Sequence, residues 1–330
     1  GLTTGAADDD PSGIATYSQV GASSGFGLIW LSLFSLPLVA IINEMCARIG
    51  LVTGIGLASN IKKYFSKKAL YFCTFLLVFA NVFNIGADLG AMGKVTQLIF
   101  PKVYFSSCVI FFALLSLLFQ VLIPYKKYSK YLKYLTLVLF TYALSAFSVK
   151  INWGDVIMHT VIPFIHFSKN EIILICAVLG TTISPYLFFW QTSQEVEEKL
   201  DKSKITDKSF PLKTNSEEIK NMHEDVWTGS IISNLAMFFI IAVCGVTLYA
   251  NGITNINTAE QAAMALRPFA GNFAYILFTL GILGTGLLAI PVLAGSVSYA
   301  ISESFSWKEG LSYKFIEARA FYLVIIAAMV

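Results

Sequence analysis

The sequence predicts an all-α fold, in which a bundle of transmembrane helices forms a single domain over residues 1–330. Three observations support this: the composition, the length of the apolar runs and the distribution of lysine. Of 330 residues, 56% are hydrophobic and 13% charged, whereas soluble domains carry roughly 25% charged residues. The apolar runs have the ~20 residues that a helix needs to cross a bilayer, and they lack the alternation of β-barrel strands.

Nine hydrophobic segments follow one another along the chain. They lie at about 1–24, 26–47, 69–99, 104–123, 131–149, 171–193, 226–250, 272–304 and 315–330. The ninth is shorter than a crossing requires and no initiator Met is present, so we expect the chain to be part of a longer protein. The stretch 258–271, which begins with a Thr cap, predicts a short amphipathic helix at the outer surface.

Basic residues are concentrated in every second connection between these segments. The basic connections hold Lys62, Lys63, Lys67, Lys68, Lys126, Lys127, Lys130, Lys133, Lys199, Lys202, Lys204, Lys208, Lys213, Lys220, Lys308, Lys314 and Arg319. The other connections hold only Lys102, Lys150, Lys169 and Arg267. Because basic loops stay in the cytoplasm, we expect a multi-pass protein of the bacterial inner (plasma) membrane with a cytoplasmic N-terminus and a flexible cytoplasmic loop at 200–225.

Other polar groups have simpler interpretations. Glu44 and Arg48, four residues apart, are predicted to pair at the inner end of segment two. The acids that end segment six, Glu195, Glu197 and Glu198, are predicted to be solvated. We place His159, His166 and His223 in connections, so that no helix is expected to contain a histidine.

Segments one and six each contain a proline that interrupts a helix. Pro11 follows three consecutive acids and precedes Ser12 and Gly13, and Pro185 follows Ser184. Proline removes a backbone hydrogen bond and clashes with the preceding turn. Freed backbone groups at membrane depth require protein or a water-filled cavity to satisfy them. Two interrupted helices five segments apart match inverted-repeat transporters, in which such helices form the substrate site.

We therefore predict two repeats of five helices, about 1–150 and about 170–330, the second one incomplete. A carboxylate at the bilayer centre costs at least ~2.5–3.5 kcal/mol on insertion scales, so it indicates function. Because Asp10 adjoins the break, we predict that it binds a cation together with unwound carbonyls. Asp8 and Asp9 are expected to face a vestibule or neighbouring helices. Asp88 is expected to act as a proton relay or to pair with another helix.

The motifs around the two prolines resemble those of one transporter family. Residues 5–30 read GAADDDPSGIATYSQVGASSGFGLIW, and residues 180–193 read GTTISPYLFFWQTS. The first resembles the Asp-Pro-Gly-Asn region of the NRAMP divalent metal transporters, and the second their Met-Pro-His region. The resemblance implies a leucine-transporter-type fold of about eleven helices with a metal site between segments one and six.

Several positions depart from the pattern of that family. Gly13 stands where the metal-binding Asn is expected, and Ser184 stands where a Met supplies a thioether. Tyr186 and Gln191 replace its two histidines. In segment three Asp88 is kept, but Ala91 replaces a Glu of the proton route.

The remaining candidate ligands are oxygens. The predicted metal site comprises Asp10, Ser12, Gly13, Ala7, Thr181 and Ser184, with the carbonyls of Ala7, Thr181 and Thr182 contributing. The predicted proton or ion pathway comprises Asp8, Asp9, Asp88, Tyr186 and Gln191. Oxygen ligands favour magnesium, calcium or manganese over softer metals, and proton coupling would have to use Asp8, Asp9, Asp10 or Asp88.

We thus expect a monomeric carrier of divalent cations that works by alternating access and prefers magnesium or manganese. The metal is its substrate, the bilayer is its surroundings, and neither a permanent cofactor nor a nucleic acid is expected. A carrier of a small organic substrate, such as an amino acid or amine, is the alternative on the same fold. A membrane enzyme or receptor is a remoter alternative, because neither a surface cluster of His, Glu and Asp nor a large extramembrane domain is evident.

Overall fold

The computed structural model describes residues 1–123, 125–163, 165, 168–203 and 214–330, and all regular structure in these ranges is helical. In chain order the α-helices are α1 (Leu2–Ala7), α2 (Pro11–Ser24), α3 (Leu31–Thr53), α4 (Leu57–Tyr64), α5 (Lys67–Ile99), α6 (Phe105–Leu122), α7 (Tyr125–Leu135), α8 (Phe140–Phe147), α9 (Trp153–Val161), α10 (Lys169–Thr182), α11 (Pro185–Ser203), α12 (Ser216–Thr247), α13 (Ala259–Phe305) and α14 (Arg319–Met329). Two 3-10 turns lie at Thr136–Leu139 and Tyr249–Asn251.

The structure confirms an integral membrane protein with several crossings. Within the described ranges, 6 helical stretches are long and apolar enough to cross a membrane. They are Leu31–Thr53, Lys67–Ile99, Phe105–Leu122, Lys169–Leu200, Ser216–Asn251 and Ala259–Phe305. One face of α5 exposes Phe72, Phe75, Phe79 and Phe83, each more than half accessible. Such a row of exposed rings is typical of a surface that contacts lipid.

Segments one, five and six are not single continuous helices, and segment six is divided into α10 and α11. Segment one is divided into α1 and α2, as the proline predicted. Segment five, predicted at 131–149, consists of the end of α7, a 3-10 turn and α8. Hydroxyl groups explain this irregularity: Thr136 Oγ1 donates to the Lys133 carbonyl at 2.7 Å, and Thr141 Oγ1 to the Val138 carbonyl at 2.7 Å. Such bonds compete with regular helix bonding.

The long helices α12 and α13 form the centre of the bundle. The α13 helix packs against α5, α8, α11 and α14, and α12 packs against α1, α2 and α3. The α12 backbone contacts the backbone at the start of α1 through Gly5 and Gly229, and a Cβ on either glycine would collide with the backbone of the other segment. A positive φ of 80° at Gly271 divides α13 into two parts. The first part confirms the predicted short helix, since the Thr258 side chain caps it at the Gln261 N–H.

Helical structure enters the predicted loop at 200–225 from both sides. The α11 helix continues to Ser203 and α12 begins at Ser216. Asn215 and Glu218 form a capping box, in which each side chain bonds to the other's backbone N–H, and this explains the early start of α12. Residues 204–213 between the two helices, including Lys204, Lys208 and Lys213, lie outside the described residues.

The expectation that no helix contains a histidine is wrong for two of the three. His159 lies in α9 and His223 in α12, while His166 lies outside the described residues. His223 is in a helix because the capping box starts α12 before it. Its Nδ1 lies 2.8 Å from Glu44 Oε2. The predicted Glu44–Arg48 pair is confirmed, with a separation of 2.6 Å.

The predicted solvation of the acids in segment six is wrong for Glu197. This side chain is buried and accepts hydrogen bonds from the Tyr299 hydroxyl and the Leu311 N–H, both at 2.8 Å. It also accepts from the Ser312 hydroxyl at 2.5 Å. The chain after α13 folds back over α11, so Glu197 anchors that connection.

Candidate cation site

The first break separates α1 from α2 at the three consecutive acids. The α1 helix ends at Ala7, and Asp10 is the N-cap of α2 with an extended backbone (φ −65°, ψ 166°). Pro11 occupies the first position of α2, where the missing N–H leaves no helical bond unmade. Asp8, Asp9 and Asp10 are each at most 1% exposed. The break therefore buries three carboxyl groups inside the bundle.

The second break separates α10 from α11 at Ile183 and Ser184. Pro185 again occupies the first helical position. The Ser184 hydroxyl donates to the Thr181 carbonyl at 2.6 Å, which satisfies one of the acceptors that the end of α10 leaves free. In this conformation the predicted ligand Ser184 thus bonds to its own turn.

The two breaks face each other. Tyr186, one residue after Pro185, donates its hydroxyl to the Ala7 carbonyl at 2.8 Å. Tyr17 in α2 and Thr182 in α10 have their hydroxyl oxygens 3.3 Å apart. The structure thus brings together the broken helices that the prolines predicted, and Tyr186 holds one carbonyl of the predicted metal site.

Asp10 is held by donors from two helices. Its Oδ1 accepts from the Ser12 hydroxyl at 2.8 Å and from the Gly13 N–H at 2.6 Å. Its Oδ2 accepts from Asn84 Nδ2, in α5, at 2.8 Å. In the described ranges no Lys, Arg or His side chain forms an ion pair with Asp10. The carboxylate is therefore fixed in direction by dipoles while its charge has no cationic partner.

Oxygen atoms converge on the face of Gly13 that lacks a side chain. A Cβ placed there would lie 3.2 Å from Asp10 Oδ1, 3.2 Å from the Asp8 carbonyl oxygen and 3.3 Å from Thr181 Oγ1. These three oxygens come from both broken helices. A Cβ 3.0–3.4 Å from these oxygens would be closer than most real Cβ contacts, so the absence of a side chain at Gly13 leaves space between the three oxygens.

Asp88 lies one helical turn after Asn84 on the same face of α5. It is completely buried near the Ser12 backbone N–H, and neither carboxyl oxygen has a hydrogen bond of good geometry among the described residues. Asp88 and Asp10 are close enough to interact electrostatically. The structure therefore adds a fourth acid to the surroundings of the break.

A cavity of about 550 Å³ leads to the site from one end of the bundle. Pro11 and Ser12 lie in its wall, next to the buried Asp10. The rest of its lining is Ala15, Thr16, Gln19, Ala87, Gly90, Ala91, Lys94, Phe105, Leu174, Ala177, Ile256, Asn257, Thr258, Ala259 and Glu260. The cavity therefore gives a small solute a path to the Ser12 hydroxyl.

Hydrogen bonds close the opposite side of the break. The Thr4 hydroxyl donates to Gln191 Oε1, and Gln191 Nε2 donates to Glu195 Oε1 at 2.7 Å. The hydrogen bond from Tyr186 to the Ala7 carbonyl joins the same two helices, α11 and α1. The predicted pathway residues Tyr186 and Gln191 are thus both engaged in contacts between broken helices.

The arrangement differs from a metal site made of side chains alone. Within the described part of the chain, no three His, Cys, Asp or Glu side chains are grouped as ligands. A cation at this point would be held by one or two carboxylates together with carbonyl and hydroxyl oxygens. Hard cations accept such mixed oxygen sets.

The whole chain matches one known protein family. The family model described as natural resistance-associated macrophage protein-like covers residues 1–330. The chain belongs to the NRAMP family. The resemblance found in the two proline motifs is therefore confirmed over the entire sequence.

Relatives of this NRAMP chain include three bacterial proteins named divalent metal cation transporter MntH. Those of Erwinia tasmaniensis, Caldanaerobacter subterraneus and Clostridium acetobutylicum are 25%, 26% and 27% identical, each over 87% of this chain. The chain covers 68%, 66% and 65% of their lengths, about two thirds of each.

Solved structures confirm the leucine-transporter-type fold. The manganese transporter of Eremococcus coleocola, in complex with an aromatic bis-isothiourea compound, superposes with a TM-score of 0.76 over 99% of this chain and 68% of its own, at 16% identity. A nucleobase-cation-symport-1 family transporter in a closed conformation has a TM-score of 0.66 over 99% of this chain and 70% of its own, at 12% identity.

Sequence reasoning missed Asn84, the donor to Asp10 from α5. A signal was present, because Asn81, Asn84 and Asp88 recur at intervals of three and four residues in an otherwise apolar helix. That spacing marks one helix face, and polar residues inside a membrane helix face the bundle interior.

Proposed function

We propose that this NRAMP chain carries the ion-binding site of a secondary transporter for hard divalent cations, with Mn²⁺ and Mg²⁺ as preferred ions. One observation carries the proposal: the buried Asp10 carboxylate has no cationic partner, and it meets carbonyl and hydroxyl oxygens of both broken helices at Gly13. A buried charge without a partner is costly. A permeating cation would provide the missing positive charge.

The preference for hard ions follows from the donor atoms. The three atoms nearest to the open face of Gly13 are all oxygens. Carboxylate, carbonyl and hydroxyl oxygens suit Mg²⁺, Ca²⁺ and Mn²⁺, whereas thioether and thiolate ligands favour softer metals. The relatives named as MntH are called divalent metal cation transporters, which supports the same class of substrate.

The route through the protein follows from the asymmetry of the two ends. The cavity reaches Pro11 and Ser12 from the end that the lysine pattern assigns to the outside. The other end is closed by the Tyr186–Ala7 and Thr4–Gln191 contacts. We assign this conformation to an outward-facing state. Transport inward requires those contacts to open while the outer cavity closes, which is alternating access.

Uptake by the full-length protein in proteoliposomes tests the proposal. Wild-type protein should accumulate Mn²⁺, excess Mg²⁺ should compete, and Asp10→Asn should reduce uptake to the level of empty liposomes. The matched control is Asp155→Asn, which neutralises an exposed aspartate in α9 and should transport like wild type. Undiminished uptake by Asp10→Asn would refute the site. Metal-independent uptake of an amino acid or amine would support the organic-substrate alternative instead.

A further inference from the structure

A second group of buried oxygens lies at the first break, in addition to those around Asp10. Both carboxyl oxygens of Asp9 and the Oδ1 of Asp8 have no hydrogen-bond partner among the described residues. The two residues are 0% and 1% exposed. Asp8 Oδ2 accepts from Ser233 Oγ, in α12, at 3.1 Å. Ser233 also lies near Asp9, though outside hydrogen-bonding geometry.

A tyrosine from another helix joins this group. Tyr142 in α8 is completely buried; its hydroxyl lies near Thr285 in α13, although no described residue forms a hydrogen bond of good geometry with it. It is close enough to Asp9 to interact with it electrostatically. Contact with Gly281 and an edge-on contact with Phe278, centroids 5.2 Å apart, fix the ring. A constrained hydroxyl therefore lies in the same buried region as an unsatisfied carboxyl group.

The unsatisfied carboxyl oxygens of Asp8 and Asp9 favour the binding of a ligand. A buried carboxyl group without hydrogen bonds is costly, and a buried carboxylate without a counter-ion more so. In the described ranges no Lys, Arg or His forms an ion pair with Asp8 or Asp9. The available donors, two carboxylates and two hydroxyls, are oxygen ligands of the kind that hard divalent cations bind.

We propose that Asp9, Asp8, Tyr142 and Ser233 form a second binding site for a hard divalent cation, distinct from the site at Asp10. The first site uses Asp10, the Asp8 carbonyl and Thr181, whereas the second uses the Asp8 and Asp9 side chains with α8 and α12. This extends the proposed function and rests on it. An ion that enters beside Asp10 can then bind at a second site among the adjacent acids. Side chains from α8 and α12, which lie outside the two breaks, contribute to that site.

Counting bound Mn²⁺ on purified full-length protein tests the second site. The electron paramagnetic resonance signal of free Mn²⁺ gives the number of ions bound per chain at saturation. Wild type and the Asp155→Asn control should bind two. Asp9→Asn and Asp10→Asn should each bind one. Tyr142→Phe, which keeps the ring, should weaken one of the two affinities by about tenfold, and it keeps the test informative where Asp9→Asn fails to fold.

The variants separate failure of the second site from failure of the proposed function. If Asp9→Asn binds Mn²⁺ as wild type does, the second site is refuted, whereas loss of one ion in Asp10→Asn alone would leave the proposed function intact. If Asp10→Asn keeps two ions, the proposed function fails at its own site. If wild type binds one Mn²⁺ and the site at Asp9 takes Na⁺ but no divalent ion, the assignment of the second site to a divalent cation is overturned.

Discussion

Removing the Asn84 side chain should weaken cation binding at Asp10. Asn84 Nδ2 donates to Asp10 Oδ2 at 2.8 Å, while Ser12 and Gly13 hold Oδ1. In Asn84→Ala the carboxylate keeps its charge but loses its only described donor on Oδ2, so it can turn away from the oxygens at Gly13. A hydrogen bond to a charged group is worth about 1.5–3 kcal/mol. At about 1.4 kcal/mol per tenfold, the Mn²⁺ affinity should fall roughly 10- to 150-fold.

Asn81→Ala is the matched control for this prediction. Asn81 lies one turn earlier on α5 and donates to Ser296 Oγ at 2.7 Å and to the Leu293 carbonyl at 3.2 Å. Its loss should lower the free energy of unfolding and leave the Mn²⁺ affinity near that of wild type. Isothermal titration of both full-length variants measures the difference. Equal Mn²⁺ affinities for the two variants would refute the role of Asn84 in positioning Asp10.

Three further substitutions test other parts of the site. Ser184→Met puts a thioether beside the break and should move the preference from Mn²⁺ toward Cd²⁺ by roughly tenfold; an unchanged ratio in competition binding would contradict the proposed ligand set. Gly13→Ala places a methyl group 3.2–3.3 Å from three oxygens and should reduce Mn²⁺ affinity; affinity equal to wild type would show that no ion uses that space. Tyr186→Phe leaves the buried Ala7 carbonyl without its 2.8 Å hydrogen bond and should lower the free energy of unfolding by about 1–3 kcal/mol. Its unfolding temperature should be lower than that of Tyr71→Phe, a control at an exposed residue; identical temperatures would contradict the contact.

The helix breaks were predictable because their cause is local. Proline and glycine restrict the backbone regardless of what packs around them, so Pro11 and Pro185 show where the helices stop. Apolar length likewise predicts most of the crossings. Segment five was harder, because its irregularity depends on Thr136 and Thr141 bonding back to the helix, and hydroxyl groups do this only in some contexts.

Contacts between distant helices could not be derived from the sequence in the same way. The Tyr186 bond to the Ala7 carbonyl joins residues 179 positions apart, and Glu197 accepts from Leu311, 114 positions away. Nothing local distinguishes Glu197 from a solvated acid at a helix end. Tyr142 is similar, since a tyrosine in a membrane helix usually indicates an interface, and only the fold brings it next to Asp9.

The most direct test of cation binding at Asp10 is to locate Mn²⁺ in crystals of the full-length protein by anomalous scattering. Bound Mn²⁺ should give a peak about 2–2.6 Å from a carboxylate oxygen of Asp10, near the Asp8 carbonyl and Thr181. Mn²⁺ bound only at surface acids, with no peak beside Asp10 in protein that transports the ion, would contradict a cation site at Asp10.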